Sequence, residues 1–175
     1  QAGGSWIPYT LVFDSINPPE GGAPVYQVTN PNYCSFLNTH GVWGDPGGYG
    51  ADFSRSYNFT CPIEGDYQFV ASVDNLGQVY VDGIEVINMP WIESFRTTYT
   101  GVYHLTAGTH QITMNGQNLG GPGSMGVTVT LLAAYTGYSG APGGTAGYSG
   151  GSGGGGGGGG ATVIFLNGSV VAVGV

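Results

Sequence analysis

The sequence predicts an all-β chain: a β-sandwich of jelly-roll type, then a glycine-rich extended segment, then a terminal β-hairpin. Two observations predict the sandwich. Through residues 5–135 apolar and polar side chains alternate with the period of a strand, and almost no stretch repeats its apolar residues at helical spacing. Turn signals cut this alternation into short pieces: Asn17-Pro18-Pro19, Asp45-Pro46-Gly47-Gly48, Asp82-Gly83 and Gly120-Gly121-Pro122-Gly123. A third observation sets the tail apart, since beyond Tyr135 glycine takes over and culminates in the unbroken run 153–160. The chain therefore divides into a sandwich over 1–135, a glycine-rich linker or packed segment over 136–160, and a hairpin or donor strand over 161–175.

Strands are predicted in order at residues 6–13, 57–60, 65–74, 77–81, 84–88, 97–105, 108–115 and 126–135. The firmest local feature is Asp82-Gly83, between Val79-Tyr80-Val81 and Ile84-Glu85-Val86. A two-residue hairpin turn needs positive φ at both central positions, and this pair tolerates it. Short strands at such spacing, with no helices between them, make a sandwich or a jelly roll.

Beyond residue 135, Tyr138-Ser139-Gly140 recurs as Tyr148-Ser149-Gly150 and leads into pure glycine. Such a segment is either a flexible tether or a set of extended threefold helices packed side by side, which only glycine permits. Prolines are missing from the period that a collagen triple helix requires. Residues 161–175 read as a hairpin about Asn167-Gly168, with Ile164-Phe165-Leu166 and Val170-Val171-Ala172 as its arms. An isolated hairpin is barely stable in water, so it is expected to pair with its own domain, a symmetry mate or the next subunit. The tail is thus read as an assembly device.

Composition narrows the function. The chain has 175 residues and a formal net charge of −8; charged residues are 7% and aromatics 13% of it. Arg55 and Arg96 supply all of its Lys and Arg. Nucleic acid is excluded as a partner, because phosphate binding needs Lys and Arg to displace counterions. Membrane insertion is not expected either, since the most apolar segment, 163–173, is short and broken by Asn167-Gly168. The first residue is Gln1, which reads as a processed or excerpted chain. Such a composition suits extracellular coats and fibres. Cys34 and Cys61 are the two cysteines, and they leave two alternatives open, a disulfide or a pair of buried free thiols.

No enzyme is expected. The ten acidic residues lie mostly on turns, without the paired carboxylates or the nucleophile and base of a hydrolase. Ser72 and Ser124 have no motif around them, and Gly123-Ser124-Met125-Gly126 lacks the spacing of a nucleophile elbow. His40, His104 and His110 lack the spacing of a zinc site. Trp43, Trp91, Tyr99 and Tyr103 have the flat faces that stack on sugar rings, although most aromatics are core. Trp91 follows Met89-Pro90 at a loop and is the best placed of them for carbohydrate.

The run 65–83, with Asp74-Asn75 between two strands and Asp82-Gly83 at its end, resembles the centre of the PA14 family of β-sandwich modules. Leu105-Thr106-Ala107-Gly108-Thr109-His110 is similar to the start of a later strand of that family, and Gly120-Gly121-Pro122-Gly123 with 127–131 to its closing loop and strand. The match spans about residues 57–133. In sugar-binding members the acidic loop is a pair of aspartates that holds calcium, which in turn binds vicinal sugar hydroxyls. The resemblance implies a carbohydrate and calcium site at Asp74 and Asn75, with Asn118 of the facing loop as a further ligand. Asn75 keeps an oxygen ligand but removes one charge. A simple turn at Asp74-Asn75 is the alternative, in which no cofactor is required.

Residues 34–46, read with the PA14-like part and the glycine tail, resemble modules of tail-fibre and appendage proteins of tailed bacteriophages, particularly marine ones. That resemblance implies a structural protein on the virion surface, outside any cell, whose sandwich adheres to a host surface glycan. The alternative is a self-assembling extracellular filament subunit with no ligand, held by strand addition and glycine packing. Both expect a homo-oligomer or other structural subunits as partners.

Overall fold

The computed structural model describes residues 10–134. The glycine tail, the terminal hairpin and residues 6–9 of the first expected strand lie outside the described residues. One compact unit, Leu11–Leu131, holds the sandwich.

The fold is all-β, as the alternation predicts. Ten strands follow the chain: β1 (Thr10–Asp14), β2 (Tyr26–Gln27), β3 (Val42–Trp43), β4 (Asp52–Cys61), β5 (Gly65–Asp74), β6 (Leu76–Val81), β7 (Ile84–Met89), β8 (Tyr99–Leu105), β9 (Gly108–Gln117) and β10 (Ser124–Ala134). One sheet has the order β2-β3-β10-β5-β8, with β1 also on β10, and the other the order β4-β9-β6-β7. Alternation explains the packing. Tyr67, Phe69, Ala71 and Val73 of β5 are buried, as are Val79 and Val81 of β6 and Ile112 and Met114 of β9 in the other sheet.

The hairpin at Asp82-Gly83 forms as expected. Val81 pairs with Ile84, and both turn residues have positive φ, 51° at Asp82 and 83° at Gly83. Its Asp82 reaches across to β9: Oδ2 lies 2.6 Å from His110 Nδ1 and Oδ1 accepts the Gln111 amide at 2.9 Å. Two of the segments that carry the family resemblance therefore meet here.

Several expectations need correction. The strand expected at 57–60 is one end of the ten-residue β4, whose outward Ser54 and Ser56 gave no apolar signal. β2 and β3 have two residues each, too few to show a period. Ser35–His40 forms a short helix, α1, which buries Leu37 alone and so has no helical stripe to detect. Of the two alternatives for the cysteines, the disulfide is not formed. Cys34 and Cys61 are both free: Cys34 lies at the start of α1 against Ser72, and Cys61 is buried at the end of β4.

The outer faces of the two sheets differ. On the first, Ser72 and Asp74 are buried although they point away from the core, because Tyr33 and the segment around Ser94 cover them. Among the described residues nothing covers the outer face of the β4-β9-β6-β7 sheet, where Ser54, Asn115, Gln78 and Asn88 form one row across all four strands. Among the described residues no helix is long and apolar enough to cross a membrane.

Candidate functional site

The four residues singled out for carbohydrate, Asp74, Asn75, Trp91 and Asn118, come together at one end of the sandwich through hydrogen bonds between loops, most of them from asparagine side chains to backbone groups. Asn75 stands between β5 and β6 and joins three segments. Its amide N–H donates to Gln117 O at 2.9 Å, its Nδ2 donates to Ile92 O at 2.8 Å, and its Oδ1 accepts the Leu119 N–H at 2.7 Å. Asn118 performs the same task one loop further on. Its N–H donates to Ala51 O at 2.7 Å and its Nδ2 to Gly121 O at 2.7 Å and Gly50 O at 3.2 Å, while Oδ1 accepts the Gly120 N–H at 3.1 Å. A carboxamide is the side chain suited to this role, since it donates and accepts at once and carries no charge to desolvate.

Trp91 is presented by a tied loop. Its carbonyl accepts from the Ser94 N–H at 2.9 Å and from Ser94 Oγ at 2.6 Å. Ser94 O in turn accepts from the buried Ser72 hydroxyl at 3.0 Å. The backbone is thus held from below while the indole stays 47% exposed. Beside it Ile92 is 56% exposed, and Leu119, on the loop that Asn75 grips, 55%. Tyr49, 73% exposed, precedes the Gly50 carbonyl that Asn118 holds. Four large apolar side chains therefore stand out on loops that two asparagines join.

Trp43 and Tyr99 turn out otherwise. Trp43 is buried: its ring stacks on Phe53 with centroids 5.0 Å apart, and its Nε1 donates to Gly50 O at 3.3 Å. It packs against Gly116 and Gly123, where an added Cβ would fall 3.0 and 2.7 Å from the indole. Those glycines let the ring lie directly under the loops. Tyr99 is half-buried with its hydroxyl 3.0 Å from Ser94 Oγ, which makes it a support of the Trp91 loop. Tyr103 sits on β8 with its ring edge-on to Phe69.

Asp74 is 6% exposed and accepts a hydrogen bond from Tyr33 Oη at 2.8 Å. Burial raises its carboxyl above the usual range, and the Tyr33 bond only partly counters this; burial and the nearby carboxylate likewise push the Tyr33 phenol up. As a calcium site, Asp74, Asn75 and Asn118 would supply one carboxylate and two amide oxygens, each amide oxygen already accepting a backbone N–H. Calcium takes six to eight oxygens and gains affinity with ligand charge, so this donor set is a poor fit. Among the described residues no three His, Cys, Asp or Glu side chains gather as a metal group.

A cleft of about 180 Å³ adjoins the loops, lined by Asp52, Leu76, Gln78, Asn115 and Gln117 together with backbone at Gly77 and Gly116. A larger groove of about 440 Å³ lies elsewhere, between β1 and β4, and none of the four residues lines it. Tyr49, Ile92 and Leu119 were not singled out from the sequence, because exposure of an apolar residue leaves no local pattern. Tyr49 and Leu119 have glycine or asparagine as chain neighbours, the one available signal, whereas Ile92, between Trp91 and Glu93, has none.

No protein family and no curated protein matches the chain. Among solved structures it is similar to a family 35 carbohydrate binding module from an environmental isolate, at 14% identity over 70% of this chain and 99% of that one, with a TM-score of 0.42. It is also similar to a ruminal GH26 endo-β-1,4-mannanase, at 22% identity over 49% of this chain and 18% of that one (TM-score 0.33). A third similarity is to a β-glucosidase from Kluyveromyces marxianus in complex with glucose, at 12% identity over 70% of this chain and 15% of that one (TM-score 0.39). The chain spans less than a fifth of either enzyme.

Proposed function

We propose that this protein is a carbohydrate-binding module that grips a glycan at the loop cluster around Asn75 and Asn118. The observation that carries the proposal is the exposed set Trp91, Ile92 and Leu119 on loops held by asparagine side chains. An aromatic face against the apolar face of a pyranose supplies contact area, and polar groups at its margin supply orientation. Rigid loops reduce the ordering cost of binding.

Binding rather than catalysis is favoured by the chemistry of the cluster. Glycoside hydrolysis takes two carboxyl groups across the scissile bond, and here Asp74 is buried and engaged with Tyr33. Calcium, if held, would be held by Asp74 with the amide oxygens of Asn75 and Asn118. With one charge among them, glycan binding is proposed not to depend on it.

The setting proposed for the module is an appendage of a tailed bacteriophage, where it would attach to a host surface glycan. This finer reading rests on the sequence resemblance and on the scarcity of Lys and Arg. A glycan array probed with the purified protein, in calcium and in chelator, tests the proposal. Saturable signal on a defined class of glycans that persists in chelator is expected; no saturable signal in either buffer overturns it.

A further inference from the structure

We infer that the bound glycan is a neutral polysaccharide chain that runs from the loop cluster onto the outer face of the β4-β9-β6-β7 sheet. This inference rests on the proposed carbohydrate function and specifies its ligand.

The cleft of about 180 Å³ makes the connection. Leu76 directly follows Asn75, and Gln117 directly precedes Asn118, so the cleft begins where the loop cluster ends. From there Gln78 and Asn115 lead into the row Ser54–Asn115–Gln78–Asn88, which crosses all four strands. With strands about 4.8 Å apart, such a row spans about 14 Å, longer than one sugar ring. The next row places Ser56, Thr113, Tyr80 and Glu85 side by side. Two cross-strand bonds hold parts of these rows in place, Ser54 Oγ to Asn115 Oδ1 and Ser56 Oγ to Thr113 Oγ1, both at 2.8 Å.

The chemistry of the face selects the ligand. Hydroxyls and carboxamides both donate and accept, which suits sugar hydroxyls that do the same. Lys and Arg are missing from these rows, while Asp52 and Glu85 stand at their margins, so an acidic polysaccharide would be repelled and a neutral one would not. The cores of protein interfaces are apolar and aromatic, and this face offers Leu76 and Tyr80 within a polar band.

Calorimetric titration of the full chain with neutral glucan, mannan and galactan oligosaccharides, each from disaccharide to hexasaccharide, tests the inference. In at least one series affinity should rise about tenfold from the shortest to the longest member. Asn88→Ala and Tyr80→Ala should flatten that rise and leave disaccharide affinity unchanged, whereas Trp91→Ala should weaken every length. Affinity independent of length, or a rise that both sheet variants keep, overturns the extension and leaves the loop site standing. Failure of every oligosaccharide to bind overturns both. A change in sedimentation of the two sheet variants without any loss of the length effect assigns the face to self-association and also overturns the inference.

Discussion

Asn75 Oδ1 accepts the Leu119 amide at 2.7 Å while its Nδ2 donates to Ile92 O, so one side chain closes the β5–β6 turn against two other loops. This amide ties together the segments that carry Ile92 and Leu119, two of the exposed apolar residues of the candidate site.

Asn75→Asp keeps the acceptor for Leu119 but loses the donor to Ile92, and sets a carboxylate against that carbonyl. Stability in chelator should fall by about 1–3 kcal/mol, read as the urea midpoint. The second carboxylate beside Asp74 should also create a calcium response, with millimolar calcium raising the midpoint of the variant more than that of the native chain. Equal responses would show that the native amide was not what limited the metal.

Gly123→Ala puts a methyl group 2.7 Å from the Trp43 indole, which is wedged between Phe53 and the loops. Overpacking at such a point costs about 1–3 kcal/mol, measurable by chemical denaturation. Gly83→Ala, with nothing within 4 Å of its added Cβ, isolates a different cause, the positive φ of 83°.

The pair His110–Asp82 makes stability depend on pH. Burial lowers the pKa of His110, but the hydrogen bonds to Asp82 and the Thr106 carbonyl outweigh it, and the net shift is upward from 6.5. Burial raises that of Asp82, but His110 and the Gln111 N–H outweigh it, and the net shift is downward from 3.8. A raised histidine contributes fully below its unfolded pKa and loses that contribution as pH rises through its folded value; the lowered aspartate loses its own as pH falls through its folded value. The urea midpoint should therefore decline as pH rises from about 6 through the raised folded value of His110. His104, raised by Glu64 and then Asp66, slopes the same way but is exposed. Asp82→Asn should remove most of the slope and His104→Gln little of it.

The two thiols should behave differently. Burial pushes Cys61 up to about 11, so it reacts poorly as well as being covered. Alkylation of the native chain should label Cys34 alone, and labelling in urea should count two thiols without added reductant. A count of zero would restore the disulfide that the structure does not form.

The sequence made the sandwich legible where a strand carried apolar residues at alternate positions, while only residues 57–60 of the ten-residue β4 were read. β5 was bounded at Gly65 and Asp74 from its pattern, and the β6–β7 turn from Asp82-Gly83. β2, β3 and α1 were not legible, since two to six residues cannot display a period. Asp74, Asn75 and Asn118 were placed together only through a family resemblance, because hydrogen bonds between loops 40 residues or more apart leave no trace in spacing. The burial of Asp74 under Tyr33 was invisible for the same reason: it depends on which loop covers the outer face of β5.

Trp91 and the asparagine-held loops are the proposed glycan site. Its most direct test is calorimetric titration of the native chain and of Trp91→Ala with the glycan that responds most strongly on an array, in chelator. The Ser94 tie is to the Trp91 backbone, so the variant should keep its fold and urea midpoint. Saturable binding by the native chain is expected, with a loss of about tenfold or more, about 1.4 kcal/mol, in the variant. Equal affinity in two equally folded proteins would contradict it.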